Sequence, residues 1–329
     1  MNASSPVRGR LAPSPTGFLR LGNAWAFLLA WLACRSKGGS LVLRMEDIDP
    51  DRSRAEYADA IIRDLRWLGL DWDEGPDVGG PAGPYTQSAR MELYADALNR
   101  LDRAGHTYPC YCTRKELRTL AGAPHVGDAG AAYPGTCRNL PPERRAELEA
   151  SGRRPCIRLH CPSQSYVFED AVFGPFRMTL EACGGDFALR RSDGVIAYQL
   201  AVVVDDGLMG ITQVVRGEDL LVSTPRQLAL FDLLGYPRPA YMHLPLLCDP
   251  EGERLAKRHA SLTLASLRDA GVSPAAVAGY LGWKAGLIGA LAPAHPRNLL
   301  PAFDPGRLRF LPERVLIEAD LTASLSVVC

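Results

Sequence analysis

Three cysteines and a tyrosine near the middle of the chain have the residue types and spacing of a metal site. Cys110 and Cys112 are separated by one residue, and Tyr133 stands four positions before Cys137. Three thiolates and a phenolate could supply the four donors that tetrahedral zinc takes in structural sites. A Cys-x-Cys pair with a distant cysteine is less specific than two Cys-x-x-Cys pairs, so three unrelated buried thiols are the alternative interpretation. The other six cysteines lack this spacing and are expected to be core or surface thiols.

Two segments near the start of the chain could bind a nucleotide and a small charged substrate. Residues 10–17 read Arg-Leu-Ala-Pro-Ser-Pro-Thr-Gly and lead through Gly22 into a predicted helix. The N–H groups and dipole of a helix N-terminus attract phosphate, and glycine lets a ligand approach the backbone. Residues 44–49 read Arg-Met-Glu-Asp-Ile-Asp, and their three carboxylates could hold an ammonium group. An ordinary strand-to-helix turn and a solvated acidic turn are the structural alternatives.

Two later segments add positive charge. Arg216 follows a run of apolar residues and could hold a carboxylate through two parallel hydrogen bonds. Residues 254–258 read Arg-Leu-Ala-Lys-Arg and follow a turn at residues 249–252. A basic loop of this kind could stabilise the charge that develops on a polyphosphate. Basic surface loops are common, so this segment is weak evidence on its own.

The elements that must position these residues alternate between strands and helices. Strands are predicted over residues 7–12 and 40–45, and helices over residues 23–37, 53–68 and 88–104, where apolar side chains recur at helical spacing. The third of these helices is expected to bury Met91, Tyr94, Leu98 and Leu101. This alternation predicts an α/β fold with a parallel sheet, whose ligands bind beyond the carboxyl ends of the strands.

Strands are also expected over residues 156–160, 166–168 and 187–204, with a hairpin turn at Asp193-Gly194. A helix is predicted from Thr224-Pro225 to Gly235, since proline favours the first turn of a helix. Beyond Glu251 the sequence favours helices and loops.

Composition excludes several classes of protein. The 329 residues include 37 basic and 37 acidic side chains and are 47% hydrophobic, which argues against a disordered chain and against bulk basicity. Residues 103–158 hold ten basic and five acidic side chains, a local excess of +5. That stretch is a candidate contact for a nucleic-acid backbone through Arg114, Arg138, Arg144 and Arg145, or alternatively a solvated basic surface.

The longest apolar run, residues 24–34, is short of the ~20 residues that span a bilayer, and no secretory signal is present. We therefore expect a cytoplasmic protein with reduced thiols and no membrane contact. Nothing in the sequence marks an oligomer interface, so a monomer is the default expectation.

Taken together and in this order, these segments resemble class I glutamyl-tRNA synthetases. The similarity covers residues 8–260 through the stretches GRLAPSPTG, RMEDIDPDRS, YTQS, AYQLAVVVDD, VVRGEDLLVSTPRQ and HLPLL. Residues 258–329 leave little room for the anticodon-binding region of the full enzymes. The cysteine and tyrosine motif is similar to that of the shortened glutamyl-queuosine tRNA(Asp) synthetases.

The resemblance implies a Rossmann-like class I catalytic core divided as follows. Residues 1–105 form its first half and residues 106–155 an inserted zinc-binding subdomain. Residues 156–240 form its second half with acceptor-like strands. Residues 241–329 carry the lysine loop and a short helical C-terminal region, with no anticodon-binding domain.

The resemblance also implies the site residues. Glu46 would receive the α-ammonium of glutamate and Arg216 its γ-carboxylate. The full set for glutamate is Arg10, Leu11, Ala12, Pro13, Ser14, Glu46, Tyr198 and Arg216. Gly22, Asn23 and Lys257 would bind ATP, with Arg20 and Lys257 as catalytic residues. One structural zinc ion would be held by Cys110, Cys112, Tyr133 and Cys137.

The activity that the resemblance implies is ATP- and magnesium-dependent activation of L-glutamate without tRNA. The glutamyl group would then pass to the queuosine base in the anticodon of tRNA(Asp). Two departures stand out: the HIGH positions read Arg20-Leu21-Gly22-Asn23, without histidine, and the KMSKS position reads Arg254-Leu-Ala-Lys-Arg258. The alternatives are a truncated glutamyl-tRNA synthetase that charges a tRNA 3′ end and a non-catalytic zinc module that binds tRNA.

Overall fold

The computed structural model of the chain describes residues 6–113, 115–117, 133–255, 262–318, 321 and 325. Its first unit is a strand β1 (Arg8–Leu11), a helix α1 (Leu21–Arg35) and a strand β2 (Ser40–Leu43). The two strands pair in parallel with Arg10 opposite Val42. Helix α1 stops because Gly38 takes the left-handed conformation, with φ of 64°. The predicted strand, loop, helix and strand are confirmed, with ends that differ by one to two residues.

A four-stranded sheet in the order β6–β5–β9–β8 lies beside this unit. Its strands are β5 (Ser165–Asp170), β6 (Gly174–Thr179), β8 (Gln213–Gly217) and β9 (Ala240–Leu244). Strands β8 and β9 are parallel, with Arg216 opposite His243. The backbone N–H of Thr212, just before β8, donates to the carbonyl of Arg8 at 2.9 Å, which places β8 next to β1. The carboxyl ends of β1, β2 and β8 therefore meet at one edge.

A smaller antiparallel sheet carries the cysteine-rich part of the chain. Its order is β3 (Thr107–Cys110), β4 (Cys156–Leu159) and β7 (Ala188–Arg190). Helix α4 (Pro142–Ala150) precedes β4. The predicted turn at Asp193-Gly194 is present, because Arg190 and Ile196 form an antiparallel bridge across it.

The strand predicted over residues 187–204 is wrong beyond β7. Residues Tyr198–Leu208 form helix α5, whose side chains from Leu200 to Asp206 are all buried. An unbroken apolar run has no period, so a helix buried on all sides gives the same pattern as a buried strand. Arg216, which follows a run of apolar residues, lies inside strand β8.

The remaining elements surround two hydrophobic clusters, one around α1 and one around α5. Their bounds are α2 (Ala55–Trp67), α3 (Met91–Arg103), α6 (Thr224–Leu234), β10 (Leu246–Cys248), α7 (Leu264–Asp269), α8 (Pro274–Lys284), α9 (Pro296–Leu299), α10 (Pro305–Leu308) and β11 (Arg314–Leu316).

Two differences from the expectations concern these elements. Met91 was expected to be buried, but it begins α3 and is exposed, because the turn Gln87–Arg90 before it carries the buried contacts. Strand β11, which pairs in parallel with β10, lies in a region expected to hold helices and loops. Its three residues are too few to show alternation.

Two further observations concern the described residues. None of their helices is long and apolar enough to cross a bilayer. The eight cysteines among them are all free thiols.

Candidate active site

A cleft of about 450 Å³ opens where β1, β2 and β8 end and α1 begins. Parallel strands present their carboxyl ends to ligands in this way. Eight of the predicted site residues line the cleft, namely Arg10, Ala12, Arg20, Gly22, Asn23, Glu46, Tyr198 and Arg216. The fold thus brings together side chains that are up to 206 positions apart in the sequence, between Arg10 and Arg216.

Three predicted residues lie beside the cleft without lining it. Leu11 is fully buried in the core, and its carbonyl accepts from the N–H of Arg44 at 2.9 Å. The carbonyl of Pro13 accepts from the N–H of Glu46 at 2.9 Å, and Ser14 is exposed. The backbone of this loop therefore holds Glu46 in place. Lys257 lies outside the described residues.

A buried ionic network forms the floor of the cleft. Arg44 is completely buried and ion-pairs with Asp206 at 2.7 Å and with Glu46 at 3.0 Å. Asp206 also lies 3.6 Å from Arg10, and Asp205 lies 2.6 Å from Arg90. Buried charges require partners of this kind, since an unpaired ion is costly in the interior. The network fixes Glu46 and Arg10 before a ligand arrives.

The pKa values of the network follow from burial and from the neighbouring charges. Burial alone would lower the pKa of Arg44, but Asp206, Asp205 and Glu46 raise it above its ordinary value. Burial raises the pKa of Glu46, although Arg44 and Arg10 oppose this effect. A cation placed against Glu46 would favour its ionised form, which is the form suited to an ammonium group.

Arg216 sits in a cage of neutral acceptors. Its Nε donates to His243 Nε2 at 3.0 Å, one terminal nitrogen to Gln227 Oε1 at 2.7 Å, and the other to Thr224 Oγ1 at 2.8 Å. No carboxylate is among its hydrogen-bond partners in the described part of the chain. A buried guanidinium without an acidic partner keeps its charge for a ligand, and a carboxylate is its best geometric match.

Two tyrosines flank this cation. Burial raises the pKa of Tyr198, so its hydroxyl stays protonated near neutral pH. The Arg216 guanidinium lies over the ring of Tyr241, 5.3 Å from its centroid. The hydroxyl of Tyr241 is buried and has no hydrogen-bond partner within the described residues. Tyr241 therefore packs against Arg216 from inside the core and does not line the cleft.

The opposite end of the cleft suits phosphate. Arg20 and Gly22 lie at the N-terminus of the 15-residue helix α1, and the space in front of Gly22 is open. Asn23 has a structural role as well, because its side-chain oxygen accepts from the N–H of Arg20 at 3.1 Å. Arg254 reaches this wall and ion-pairs with Asp219 at 2.7 Å. Backbone N–H groups and two guanidinium groups thus face one end of the cleft.

The four predicted metal ligands lie together, away from the cleft. The sulfurs of Cys110, Cys112 and Cys137 are all within 4.8 Å of one another, and those of Cys112 and Cys137 are 3.6 Å apart. Tetrahedral zinc with bonds of about 2.3 Å needs sulfurs about 3.8 Å apart, so the cluster fits a metal ion of that size. The hydroxyl of Tyr133 lies 3.3 Å from the sulfur of Cys110 and accepts from the N–H of Cys137.

A fourth thiol, which the spacing did not reveal, adjoins this cluster. Cys156 lies directly opposite Cys110 across the β3–β4 pair. A hydrogen bond from Cys156 lowers the pKa of Cys110, against the opposite effect of burial. The thiolate is the form that binds metal, so this contact favours the metal-binding state of Cys110.

The basic residues proposed for tRNA contact differ in their availability. Arg138 makes two hydrogen bonds, at 2.9 Å and 2.7 Å, to the buried carboxylate of Asp186 and so anchors the cysteine-rich region. Arg144 is exposed and pairs with Glu147. The Nε of Arg145 donates to the carbonyl of Leu140. Arg114 lies outside the described residues.

Comparison with known proteins identifies the family. The catalytic-domain profile of class I tRNA synthetases (E and Q) matches residues 6–287. A glutamyl-Q tRNA(Asp) synthetase of Nitratidesulfovibrio vulgaris is 65% identical over 89% of this chain and 90% of its own length. The chain belongs to the glutamyl-Q tRNA(Asp) synthetase family of class I tRNA synthetases. The family relationship that the sequence motifs predicted is thereby confirmed.

Further relatives of this synthetase family agree. A glutamyl-Q tRNA(Asp) synthetase of Symbiobacterium thermophilum is 56% identical over 97% of this chain and 98% of its own length. The crystal structure of a glutamate-tRNA synthetase from Elizabethkingia anophelis superposes with a TM-score of 0.83 at 26% identity, over 98% of this chain and 70% of that one. The class I synthetase fold expected from the sequence is confirmed.

Within this class I synthetase, several residues around the cleft were not assigned roles from the sequence. His243 and Gln227, which hold Arg216, lie in the HLPLL and STPRQ stretches that carried the resemblance. Asp205 and Asp206 end the AYQLAVVVDD stretch and anchor the ionic floor. These motifs marked the region, but the partner of each side chain depends on pairing between distant strands.

Proposed function

We propose that this chain activates glutamate with ATP, without tRNA, and transfers the glutamyl group to the queuosine base in the anticodon of tRNA(Asp). The relatives named glutamyl-Q tRNA(Asp) synthetase, at 65% and 56% identity, carry this proposal. The uncompensated charge of Arg216 in the cleft supports the choice of a substrate with a side-chain carboxylate.

Glutamate is placed with its γ-carboxylate at Arg216 and its α-ammonium at Glu46. The free N–H of the Arg216 guanidinium and the hydroxyl of Tyr198 can donate to the carboxylate. Its α-carboxylate then points toward the phosphate end of the cleft. Arg10 and the backbone of the loop at residues 12–14 complete this site.

The first chemical step depends on the alignment of the two substrates rather than on acid–base catalysis. An oxygen of the glutamate α-carboxylate attacks the α-phosphorus of ATP, forming one P–O bond while the bond to the β-phosphate breaks and pyrophosphate leaves. Arg20 and the N-terminus of α1 are placed to stabilise the added negative charge, and we assign the same task to Lys257 from the sequence resemblance alone. Magnesium bound with ATP supplies further neutralisation of the phosphates.

In the second step a hydroxyl of the queuosine ring attacks the activated carbonyl. The new ester C–O bond forms, AMP leaves, and the hydroxyl proton passes to solvent or to the leaving phosphate. All cleft residues come from one chain, so a monomer suffices for this proposal. The proposal includes a cytoplasmic location, because its substrates ATP and tRNA are present there.

We assign a structural zinc ion to Cys110, Cys112, Tyr133 and Cys137. When bound, zinc crosslinks β3 to the segment before α4. The proposed tRNA contact is the basic region that surrounds this site, through Arg144 and Arg114 rather than Arg138.

Glutamate-dependent exchange of pyrophosphate into ATP, measured without tRNA, tests the activation step. The proposal predicts exchange with glutamate and far less with glutamine or aspartate. Absence of exchange at every magnesium concentration would contradict an active enzyme and favour the non-catalytic alternative. Equal exchange with glutamine would contradict the role of Arg216.

A further inference from the structure

A chain of three buried side chains leads away from the cleft behind Arg216. His243 lies opposite Arg216 in the β8–β9 register, so both side chains are on the same face of the sheet. The Nε2 of His243 accepts from Arg216 Nε at 3.0 Å, and its Nδ1 lies 2.7 Å from Asp170 Oδ2. His243 and Asp170 are fully buried, and neither lines the cleft. His243 Nε2 also lies 3.3 Å from the hydroxyl of Thr224, which itself holds Arg216. His243 and Asp170 can therefore influence a ligand only through Arg216 and its neighbour Thr224.

Asp170 is held as an ionised acceptor. It is the last residue of β5, and its Oδ1 accepts from the N–H groups of Val172 at 2.9 Å and Phe173 at 3.0 Å. Its Oδ2 accepts from the N–H of His243 at 3.0 Å. Burial by itself would raise the pKa of this carboxyl, but His243 and these N–H groups lower it. An ionised carboxylate has no proton to donate.

This arrangement fixes the tautomer of the imidazole. Because Asp170 can only accept, Nδ1 of His243 must carry the proton. A neutral imidazole then has a lone pair at Nε2, which is what the Nε–H of Arg216 requires. The reverse tautomer would direct two N–H donors at each other and two acceptors at each other.

The imidazole is neutral at the pH of the cell. Burial lowers the pKa of His243 to about 4, with Asp170 acting in the opposite direction and Arg216 reinforcing the decrease. The ring of Tyr241 stacks on it at an interplanar angle of 10° and covers it further. Arg216 therefore has a neutral partner on this side.

The other side of the guanidinium is fixed by a second chain of neutral groups. Gln227 accepts from Arg216 through Oε1, and its Nε2 donates to Gln199 Oε1 at 2.9 Å. The orientation of the Gln227 amide is thereby set. Arg216 is held at several positions, and none of these contacts neutralises its charge.

We propose that Asp170 and His243 are positioning residues that orient Arg216 for a side-chain carboxylate and thereby favour glutamate over glutamine. This inference rests on the proposed function, in which Arg216 receives the γ-carboxylate. A neutral acceptor at His243 fixes the guanidinium plane yet leaves the positive charge for the ligand. A carboxylate at the same place would fix the plane and cancel the charge.

Two conservative variants separate the two nitrogens of the ring. In His243→Gln the amide oxygen occupies the region of Nε2 and can still accept from Arg216. In His243→Asn the amide occupies the region of Nδ1, so the contact with Asp170 is kept and the contact with Arg216 is lost. His160→Gln, at an exposed histidine outside this network, is the matched control.

Pyrophosphate exchange is measured for each variant against glutamate, glutamine and ATP. We expect His243→Asn to raise the KM for glutamate by about tenfold or more, the cost of one hydrogen bond to a charged group. The KM of His243→Gln for glutamate should stay within about threefold of the wild-type value. The KM for ATP should change less than about twofold in both variants. The preference for glutamate over glutamine should fall in His243→Asn. If His243 had a purely structural role, its replacement would instead change the KM for every substrate and lower the melting temperature.

The inference is overturned if His243→Asn and His243→Gln change the KM for glutamate equally, or if neither changes it. A second measurement does not depend on activity. Nitrogen NMR of the wild-type imidazole should show the proton on Nδ1, and a proton on Nε2 overturns the inference even in an active enzyme. A wild type with that Nδ1 tautomer but no glutamate-dependent exchange would overturn the proposed function instead.

Discussion

Arg216 and Arg44 are both buried arginines near the cleft, and replacing each with methionine should have opposite consequences. Arg44 has carboxylates at 2.7 Å, 3.0 Å and 3.6 Å, whereas the hydrogen-bond partners of Arg216 among the described residues are neutral. Arg44→Met leaves buried carboxylates without a partner, and breaking such a pair typically costs about 3–5 kcal/mol of folding free energy.

Arg216→Met removes a buried charge that has no acidic partner. Burying that charge costs several kcal/mol of desolvation free energy, and the variant no longer bears this cost. The gain offsets the free energy lost when the hydrogen bonds to His243, Gln227 and Thr224 disappear. We expect the free energy of unfolding to stay within about 2 kcal/mol of the wild type. Binding of glutamate should suffer instead, because a desolvated charge pair truncated on one side loses about 3–5 kcal/mol, or roughly 10²–10⁴-fold in KM.

Urea unfolding and glutamate-dependent pyrophosphate exchange measure the two effects on the same preparations. The expected result is a stable Arg216→Met protein with a high KM for glutamate and an ordinary KM for ATP. Arg44→Met should be strongly destabilised. If Arg216→Met lost as much stability as Arg44→Met while its KM for glutamate stayed unchanged, the account of the neutral cage would be refuted.

Three other predictions concern pH, the metal cluster and the ATP end of the cleft. His243 is neutral in the folded protein, with a pKa of about 4, whereas an unfolded histidine titrates near ~6.5. The contribution of neutral His243 to the free energy of unfolding is therefore complete above pH ~6.5 and is lost as the pH falls toward 4. Between pH 7 and pH 5 the free energy of unfolding should therefore drop by about 2 kcal/mol more in the wild type than in His243→Gln, and parallel pH curves would contradict this. Cys137→Ser should bind less than one equivalent of zinc, whereas Cys248→Ser, at a buried thiol outside the cluster, should keep the full equivalent. Full zinc content in Cys137→Ser would remove that residue from the ligand set. Gly22→Val should raise the KM for ATP without changing the KM for glutamate. The space in front of Gly22 is open to the cleft, so the valine side chain would occupy room intended for the nucleotide. An unchanged KM for ATP would mean that the nucleotide binds elsewhere.

The sequence was most informative where one residue type has a single physical use. Gly38 and Gly235 end helices α1 and α6 in the left-handed conformation, as their positions after helical runs predicted. The alternation of strands and helices led correctly to a parallel pair with a cleft at its carboxyl edge. The residues that line the cleft were largely those that the motifs marked.

Other features could not be predicted because they depend on contacts between distant segments. The sequence of helix α5 predicts a strand, because its apolar run is buried on every side and shows no helical period. The alignment of His243 with Arg216 is a property of the β8–β9 register, and that of Cys156 with Cys110 of the β3–β4 register. Leu11, at the end of β1, and Pro13, in the loop that follows, contribute through their carbonyls, which side-chain identity does not reveal.

Transfer of labelled glutamate to tRNA(Asp) is the most direct test of the central claim. The tRNA is prepared with and without queuosine, and in a further set the 3′ ribose is blocked by a terminal 2′,3′-dideoxyadenosine rather than by periodate, which would also cleave the diol of the queuosine ring. The account predicts labelling of the queuosine-containing tRNA alone, unaffected when the 3′ ribose is blocked. Equal labelling of both tRNAs, or labelling abolished by that block, would contradict it and point to a synthetase that charges the 3′ end.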